Sequence, residues 1–294
     1  MIEVIPSGKI DKQRWDACVS LSKNGNIFGL YDSITTACGD WIGFVYNGYE
    51  AVLALPVKKK WKLAYSWHPQ FMGPLGVFSS HPSPEIAQHL LGEISRYSWW
   101  IKMHYWQKEE IKRLKVLPRI FQELDISSTS MEKIRAGYHE NTKRNYKKAI
   151  QKQLSVQHMT DASLVIDTFK DNKGGQIENI NEDSYLLLRR LMDHWLNTKN
   201  GYITAVYDGD ILAAIGYFLV WNQTIIYYKG AVTEPGRSNG AMHLLIDHEI
   251  ENHLGTCKYF DFGGSNTDSV ARFYKGFGGA DKNYYLYEYK KFKI

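Results

Sequence analysis

The chain has 294 residues, 44% of them hydrophobic and 23% charged, a balance that excludes a disordered polypeptide and leaves ample material for a core. Its length points to two domains of about 100–150 residues each. The net charge of +5 is concentrated: residues 131–154 hold Lys133, Arg135, Lys143, Arg144, Lys147, Lys148 and Lys152 against Glu132 and Glu140 alone. This basic segment suits nucleic acid, anionic lipid or a phosphorylated ligand, and equally a solvated helix face.

The start, Met1-Ile2-Glu3-Val4-Ile5-Pro6, lacks the basic and apolar regions of a signal peptide, and no apolar run approaches the ~18 residues of a spanning helix. Cys18, Cys38 and Cys257 have no spacing suited to a disulfide framework or a zinc site. A reduced, cytoplasmic protein without a metal is expected.

In chain order, a strand (Glu3–Pro6) and a helix (Asp11–Ser22) precede two strands, Trp41–Tyr46 and Ala51–Val57, about the Asn47-Gly48 turn signal. A strand at Leu63–Trp67 follows. A helix begins at Ser83-Pro84-Glu85 and carries Ile86, Leu90, Leu91 and Ile94, and a strand lies near Lys102–Trp106. Arg119–Ile126 reads as a strand running into Ser/Thr-rich punctuation. The expected domains are therefore 1–130 and 131–294, the second opening on the basic helix. Beyond it come a strand (Ser155–Met159), helices near Asp161–Asp171 and Glu182–Lys199, and strands Tyr202–Tyr207, Ile211–Trp221 and Thr224–Val232. A helix (Asn239–His253), a strand (Lys258–Phe262), a short helix (Thr267–Gly276) and a strand (Tyr284–Tyr289) complete the chain. Mixed β and α recur in nearly the same order in both halves.

Chemistry concentrates after residue 224. In Val232-Thr233-Glu234-Pro235-Gly236-Arg237-Ser238-Asn239-Gly240-Ala241-Met242 a strand turns into a helix. The amides of a first helical turn bind anions such as a pyrophosphate, glycine permits close approach, and Arg237 adds a forked cation. An ordinary capped helix entry explains the same residues. His248 and His253 are five apart, about 140° around a helix, so they share no metal face. Cys257 reads as structural, and no P-loop or Gly-x-Ser-x-Gly elbow is present. Aromatic residues cluster in Tyr97–Trp106, Tyr227-Tyr228 and Tyr284–Tyr289, as stacking platforms or as strand cores.

The order strand, Arg237-x-x-Gly240-Ala241, helix, strand, Ala271-x-Phe273-Tyr274-x-x-x-Gly278 resembles the core of the GNAT superfamily of N-acyltransferases. The segments Arg119–Ile126, Asn141–Ala149, Tyr259–Gly264 and Phe273–Gly278 are similar to Fem-type and related tandem-GNAT enzymes. The resemblance implies an α/β (α+β) fold of two GNAT-like domains in tandem, each a mixed, mostly antiparallel sheet flanked by helices, with transfer in the C-terminal one. It implies acyl-CoA as co-substrate: Val232 offering backbone to pantetheine, Arg237, Ser238, Asn239, Gly240 and Ala241 holding pyrophosphate, and Tyr274 protonating the thiolate. The family's small residue two positions past the glycine is Met242 here. The lysine that Fem enzymes usually place at Tyr274 falls one step along, at Lys275.

Aminolysis of a thioester requires a base for the amine and an acid for the thiolate. A thiol titrates near ~8.5 and a tyrosine near ~10, so Tyr274 is a workable donor. Asp261 is the first candidate base and Glu234 the second; Asp261 could instead only tie down the Gly263-Gly264 turn. Lys143, Arg144, Gly263 and Lys275 are the candidate acceptor contacts. The expected activity is acyl transfer from acyl-CoA to an amine. Aminoacyl transfer from tRNA to a cell-wall precursor is the alternative, and a non-catalytic binding module of the same fold is the second alternative.

Overall fold

The computed structural model describes residues 1–60, 63–172, 180–264 and 267–291. Two compact units emerge, Met1–Ile120 with Asn283–Ile294, and Phe121–Lys282. The division falls ten residues before the boundary expected from the Ser/Thr punctuation, because Phe121, Glu123, Leu124 and Asp125 are already registered against a later strand of the second unit. The last strand returns to the first unit by pairing Tyr285–Lys290 with Trp100–Tyr105.

The first unit contains β1 (Ile2–Pro6), α1 (Lys12–Leu21), α2 (Tyr31–Cys38), β2 (Trp41–Tyr46), β3 (Ala51–Pro56), β4 (Lys58–Lys60), β5 (Leu63–Trp67), β6 (Val77–Ser79), α3 (Pro84–Glu93) and β7 (Trp100–Tyr105). An antiparallel sheet runs β1-β2-β3-β6. The β2–β3 hairpin closes at Tyr46↔Ala51, where Asn47 and Gly48 take the positive φ values of 43° and 62° that such turns require. Asp11 and Ser83 cap α1 and α3 through their side chains, and Pro84 needs no amide partner in the first turn.

The second unit contains the later part of β8 (Lys115–Asp125), then α4 (Met131–Ala136), α5 (Glu140–Gln151), β9 (Ser155–Met159), α6 (Ala162–Asn172), α7 (Glu182–Asn197), β10 (Gly201–Asp208), β11 (Ile211–Trp221), β12 (Thr224–Val232), α8 (Glu234–Asn239), α9 (Ala241–His253), β13 (Tyr259–Gly264) and α10 (Asp268–Gly276), and it ends in the first residues of β14 (Ala280–Lys290). Its strands run β8-β13-β12-β11-β10-β9, antiparallel except for the parallel pair β12–β13. A core of Ala149, Ala241, Leu245, Phe260, Phe262 and Phe277 joins α5, α9 and the sheet.

The single basic helix expected over 131–154 is two helices. Gly137 ends α4 by donating its amide to the Lys133 and Ile134 carbonyls, and the chain then drives Tyr138 inward, where its hydroxyl donates to Asp247 Oδ1 at 3.0 Å. Asp247 also receives Arg135 at 2.6 Å, so this one of the seven cations is paired with a buried carboxylate.

A second expectation also changes. The bend after β12 is itself the short helix α8, ended by Gly240 at φ 83°. A Cβ on Gly240 would lie 2.1 Å from the Asn145 carbonyl oxygen of α5. Gly255 has φ 82° and open space around its Cβ position. Gly240→Ala is therefore expected to cost more than about 2 kcal/mol, left-handed strain plus displacement of α5, and Gly255→Ala only the strain of about 1–2 kcal/mol. Calorimetric melting of both variants checks this; equal losses would remove the close approach of α5 as the reason for glycine.

Candidate active site

Strands β12 and β13 pair over three residues only, Thr224–Ile226 with Tyr259–Asp261, and then part. On β12 a bulge sets Tyr217 opposite Lys229 and Phe218 opposite Tyr227, leaving Tyr228 as the extra residue. On β13, Asp261 Oδ1 accepts the Gly263 amide at 2.7 Å, Gly263 takes φ 79°, and the register against β8 shifts before Gly264. The strands diverge around a cavity of about 850 Å³. Its walls are Tyr227–Val232 of β12, Phe262–Gly264 of β13, Met242 and His243 of α9, and Phe273 and Tyr274 of α10. That volume holds a small-molecule ligand or the end of a carrier.

Tyr274 reaches this wall from the last turns of α10. Its ring stacks on Phe262 at 5.2 Å and stands edge-on to Tyr227 at 6.2 Å. Burial, and then the charge of Asp261, push its phenol above the ordinary tyrosine range. The hydroxyl therefore stays protonated at neutral pH and is available as a donor. Complete transfer of its proton to a thiolate is less favourable than the ordinary tyrosine value implies.

Asp261 does form the turn-stabilising bond anticipated for it, yet its carboxyl is not an ordinary one. Desolvation raises it to about 7, against the lowering effect of the Gly263 amide, and the cross-strand neighbour Glu123 adds to the rise. A carboxylate titrating near neutrality has the basicity suited to proton abstraction at physiological pH. Asp261 is not part of the cavity lining, although Phe262 and Gly263, which follow it in β13, are.

The expected phosphate-binding bend is largely occupied by the protein itself. The Gly236 amide donates to Thr233 Oγ1, the Arg237 amide to the Thr233 carbonyl, the Ala241 amide to Asn239 Oδ1, and the His243 and Leu244 amides to the Gly240 carbonyl. Asn239 is buried and donates to Asp208 at 3.1 Å, while Ser238 Oγ turns back to the Pro235 carbonyl at 3.2 Å. Ala241 is in the core. The three residues Ser238, Asn239 and Ala241 thus serve the fold of the bend. Its glycines answer to packing too: a Cβ on Gly236 would strike the Ala213 carbonyl oxygen at 1.8 Å.

Of the candidate donor, acceptor and catalytic residues named from the sequence, Val232, Arg237, Gly240, Gly263 and Tyr274 border this cavity. Arg237 Nη2 donates to Asn172 Oδ1 at 2.9 Å, and both residues line the rim. The others lie outside the lining: Lys143 pairs with Glu140 at 3.0 Å, Arg144 donates to Asn141 at 2.7 Å, and Lys275 pairs with Asp281 at 2.6 Å. Glu234 is exposed in the first turn of α8.

One residue that the sequence reading passed over stands in the wall. Lys229, in the bulged part of β12, places Nζ 5.2 Å from the Tyr228 ring centre and 5.9 Å from that of Phe169. Burial lowers its ammonium to about 8. The signal was present as the single charge in the strand Thr-Ile-Ile-Tyr-Tyr-Lys-Gly-Ala-Val.

A mostly antiparallel sheet whose parallel pair is parted by a bulge, with mixed β and α elements in both units, defines a tandem GNAT fold. The chain belongs to the acetyltransferase (GNAT) domain family, which it matches over residues 138–287. No curated protein matches its sequence. Among solved structures it is similar to FemX, with 13% identity, 96% of each chain covered and a TM-score of 0.70. It is also similar to L-PGS from Bacillus licheniformis, at 10% identity, 97% of this chain and 93% of the other, TM-score 0.56. A tandem GNAT protein from the clavulanic acid biosynthesis pathway gives 11% identity, 98% of each chain and a TM-score of 0.53. These likenesses establish the fold.

The Asp261 carboxyl makes a stability test available. Its folded value of about 7 lies above the ordinary 3.8, so the folded state holds the proton more tightly; the stability this gives is complete below 3.8 and is lost as pH rises through about 7. Asp261→Asn keeps an oxygen for the Gly263 amide and has no charge to bury. Its melting temperature relative to the parent is expected to rise between mildly acidic and mildly alkaline pH. A difference independent of pH would show that Asp261 titrates normally.

Proposed function

We propose that the chain transfers an acyl group from acyl-CoA to an amine seated beside β12 and β13 in the C-terminal unit. The observation that carries this reading is the parting of β12 from β13 beside the Tyr274 phenol. Past Ile226 β12 no longer ladders with β13, and pantetheine, an extended chain of amides, is a fitting partner for such an edge.

In this reading the amine attacks the thioester carbonyl and the C–S bond breaks as the amide bond forms. The amine proton passes to Asp261 through an intervening water, since Asp261 is not itself among the lining residues. The departing sulfur receives a hydrogen bond from Tyr274, whose raised pKa makes it a better donor of a hydrogen bond than of a free proton. Lys229 acts on the acceptor as well: neighbouring positive charge disfavours an ammonium and keeps the amine in its neutral, nucleophilic form. Arg237 offers the charge that diphosphate needs.

Two measurements test the proposal. CoA or acetyl-CoA at a hundredfold excess over its dissociation constant is expected to stabilise the protein by about 2.7 kcal/mol, read as a raised melting temperature. Tyr274→Phe is expected to lower kcat by about tenfold or more with donor affinity unchanged; unaltered turnover would take Tyr274 out of the mechanism.

A second reading is favoured by the self-occupied bend and by Met242, whose sulfur accepts the Tyr227 hydroxyl at 3.3 Å where the family's small residue leaves room. Here the donor is an aminoacyl ester on tRNA, and the diphosphate grip is dispensable. Absence of any thermal shift with CoA, together with binding of charged tRNA that weakens steeply with salt, would select this reading.

A further inference from the structure

Away from the transfer site, the first unit presents a sheet face that its fold leaves uncovered. Strands β4, β5, β7 and β14 are adjacent, and Lys58, Tyr65, Trp100 and Lys290 form one cross-strand row over all four. Trp67, Lys102 and Glu288 form the next row, with Lys60 and Leu63 paired at the β4–β5 edge. Alternation along the strands sends Ser66, Ile101 and Met103 to the opposite, fully buried side. The open side keeps Leu63, Trp67 and Trp100 at 49%, 50% and 46% exposure. Its one carboxylate, Glu288, has Lys115 at 3.8 Å, so the face is strongly positive.

The geometry of the rings selects the partner. Trp67 and Trp100 meet edge to face at 5.5 Å and 83°, and Tyr65 meets Trp67 at 6.2 Å and 76°. Lys290 places its ammonium 5.4 Å over the Trp100 ring. Nucleobases stack on open, parallel ring faces, whereas these rings meet edge to face, beside a leucine that stacks on nothing. Amphipathic indoles with a neighbouring aliphatic side chain, fringed by lysines, fit the headgroup level of a bilayer instead. Among the described residues no helix is long and apolar enough to cross a membrane, so docking through this face is peripheral. We propose that the β4-β5-β7-β14 face binds the surface of a bilayer containing anionic phospholipid, with Leu63, Trp67 and Trp100 at headgroup depth and Lys58, Lys60, Lys102 and Lys290 on the phosphates.

Flotation of the whole chain with phosphatidylglycerol/phosphatidylcholine vesicles and with pure phosphatidylcholine vesicles tests this. Binding to the anionic vesicles only, released as salt is raised, is expected. Lys102→Gln and Lys290→Gln should each weaken it about fivefold, the equivalent of one surface lysine. Trp67→Ala with Trp100→Ala should abolish it while the melting transition is retained, and brominated lipid should quench tryptophan fluorescence in the parent but not in that double variant. Equal binding to both vesicles, or binding indifferent to these substitutions, would overturn the proposal. So would single-stranded polyuridylate that binds through the same residues while vesicles do not.

Discussion

Everything that makes the second unit more than a folded sheet follows from the early end of the β12–β13 ladder. A parallel pair inside a sheet ordinarily continues while both strands last. Here the bulge at Tyr228 turns β12, and the Asp261–Gly263 bond with the positive φ of Gly263 turns β13, so the two backbones leave one another from both sides. Parted edges expose amides and carbonyls that water or a ligand must satisfy. The gap persists because its walls are aromatic and fixed: Phe262 is fully buried, Tyr274 stacks on it, and the Tyr227 hydroxyl is held by the Met242 sulfur. Each large ring gains most from burial in a single arrangement, which opposes collapse of the strands onto each other.

The bend that follows β12 shows how one local pattern serves two ends. Glycine, arginine and a helix entry are what an anion site needs, and also what a tight crossing of backbones needs. In this chain Gly236 admits the Ala213 carbonyl and Gly240 admits that of Asn145, with α5 packed across the turn. Positive side-chain charge at the cavity comes from Lys229 and Arg237.

Much of the fold was legible in the sequence because its signals are local. Asn47-Gly48, Ser83-Pro84 and the alternation in Ile211–Val232 specify a hairpin, a helix start and two strands without outside help. What escaped notice depends on distant partners. The break at Gly137–His139 exists because Tyr138 finds Asp247, and the His139 amide finds the Gly276 carbonyl. The helix α2, with Ser33 and Ile34 buried, is a single pair of turns set by its packing. At the site, the sequence order placed Tyr274 on the helix after β13, whereas the tie of Asn239 to Asp208, which spans 31 residues, left no local signal. Lys229 could have been found by asking why a charge interrupts an otherwise apolar strand.

The electrostatics of the site divide between the cavity lining and the residues outside it, and that division constrains any chemistry performed there. Cations face the cavity: Arg237 at the rim and Lys229, its ammonium lowered to about 8, in the wall. Two carboxyls outside the lining are raised by burial: Asp261, to about 7, and its cross-strand neighbour Glu123. The Tyr274 phenol, in the lining, is kept protonated by burial and by Asp261. In the reaction proposed above, an incoming amine meets positive charge that favours its neutral form, and a carboxyl titrating near neutrality has the affinity to take its proton. The proposed aminolysis draws on that pair of features whichever carrier brings the acyl group.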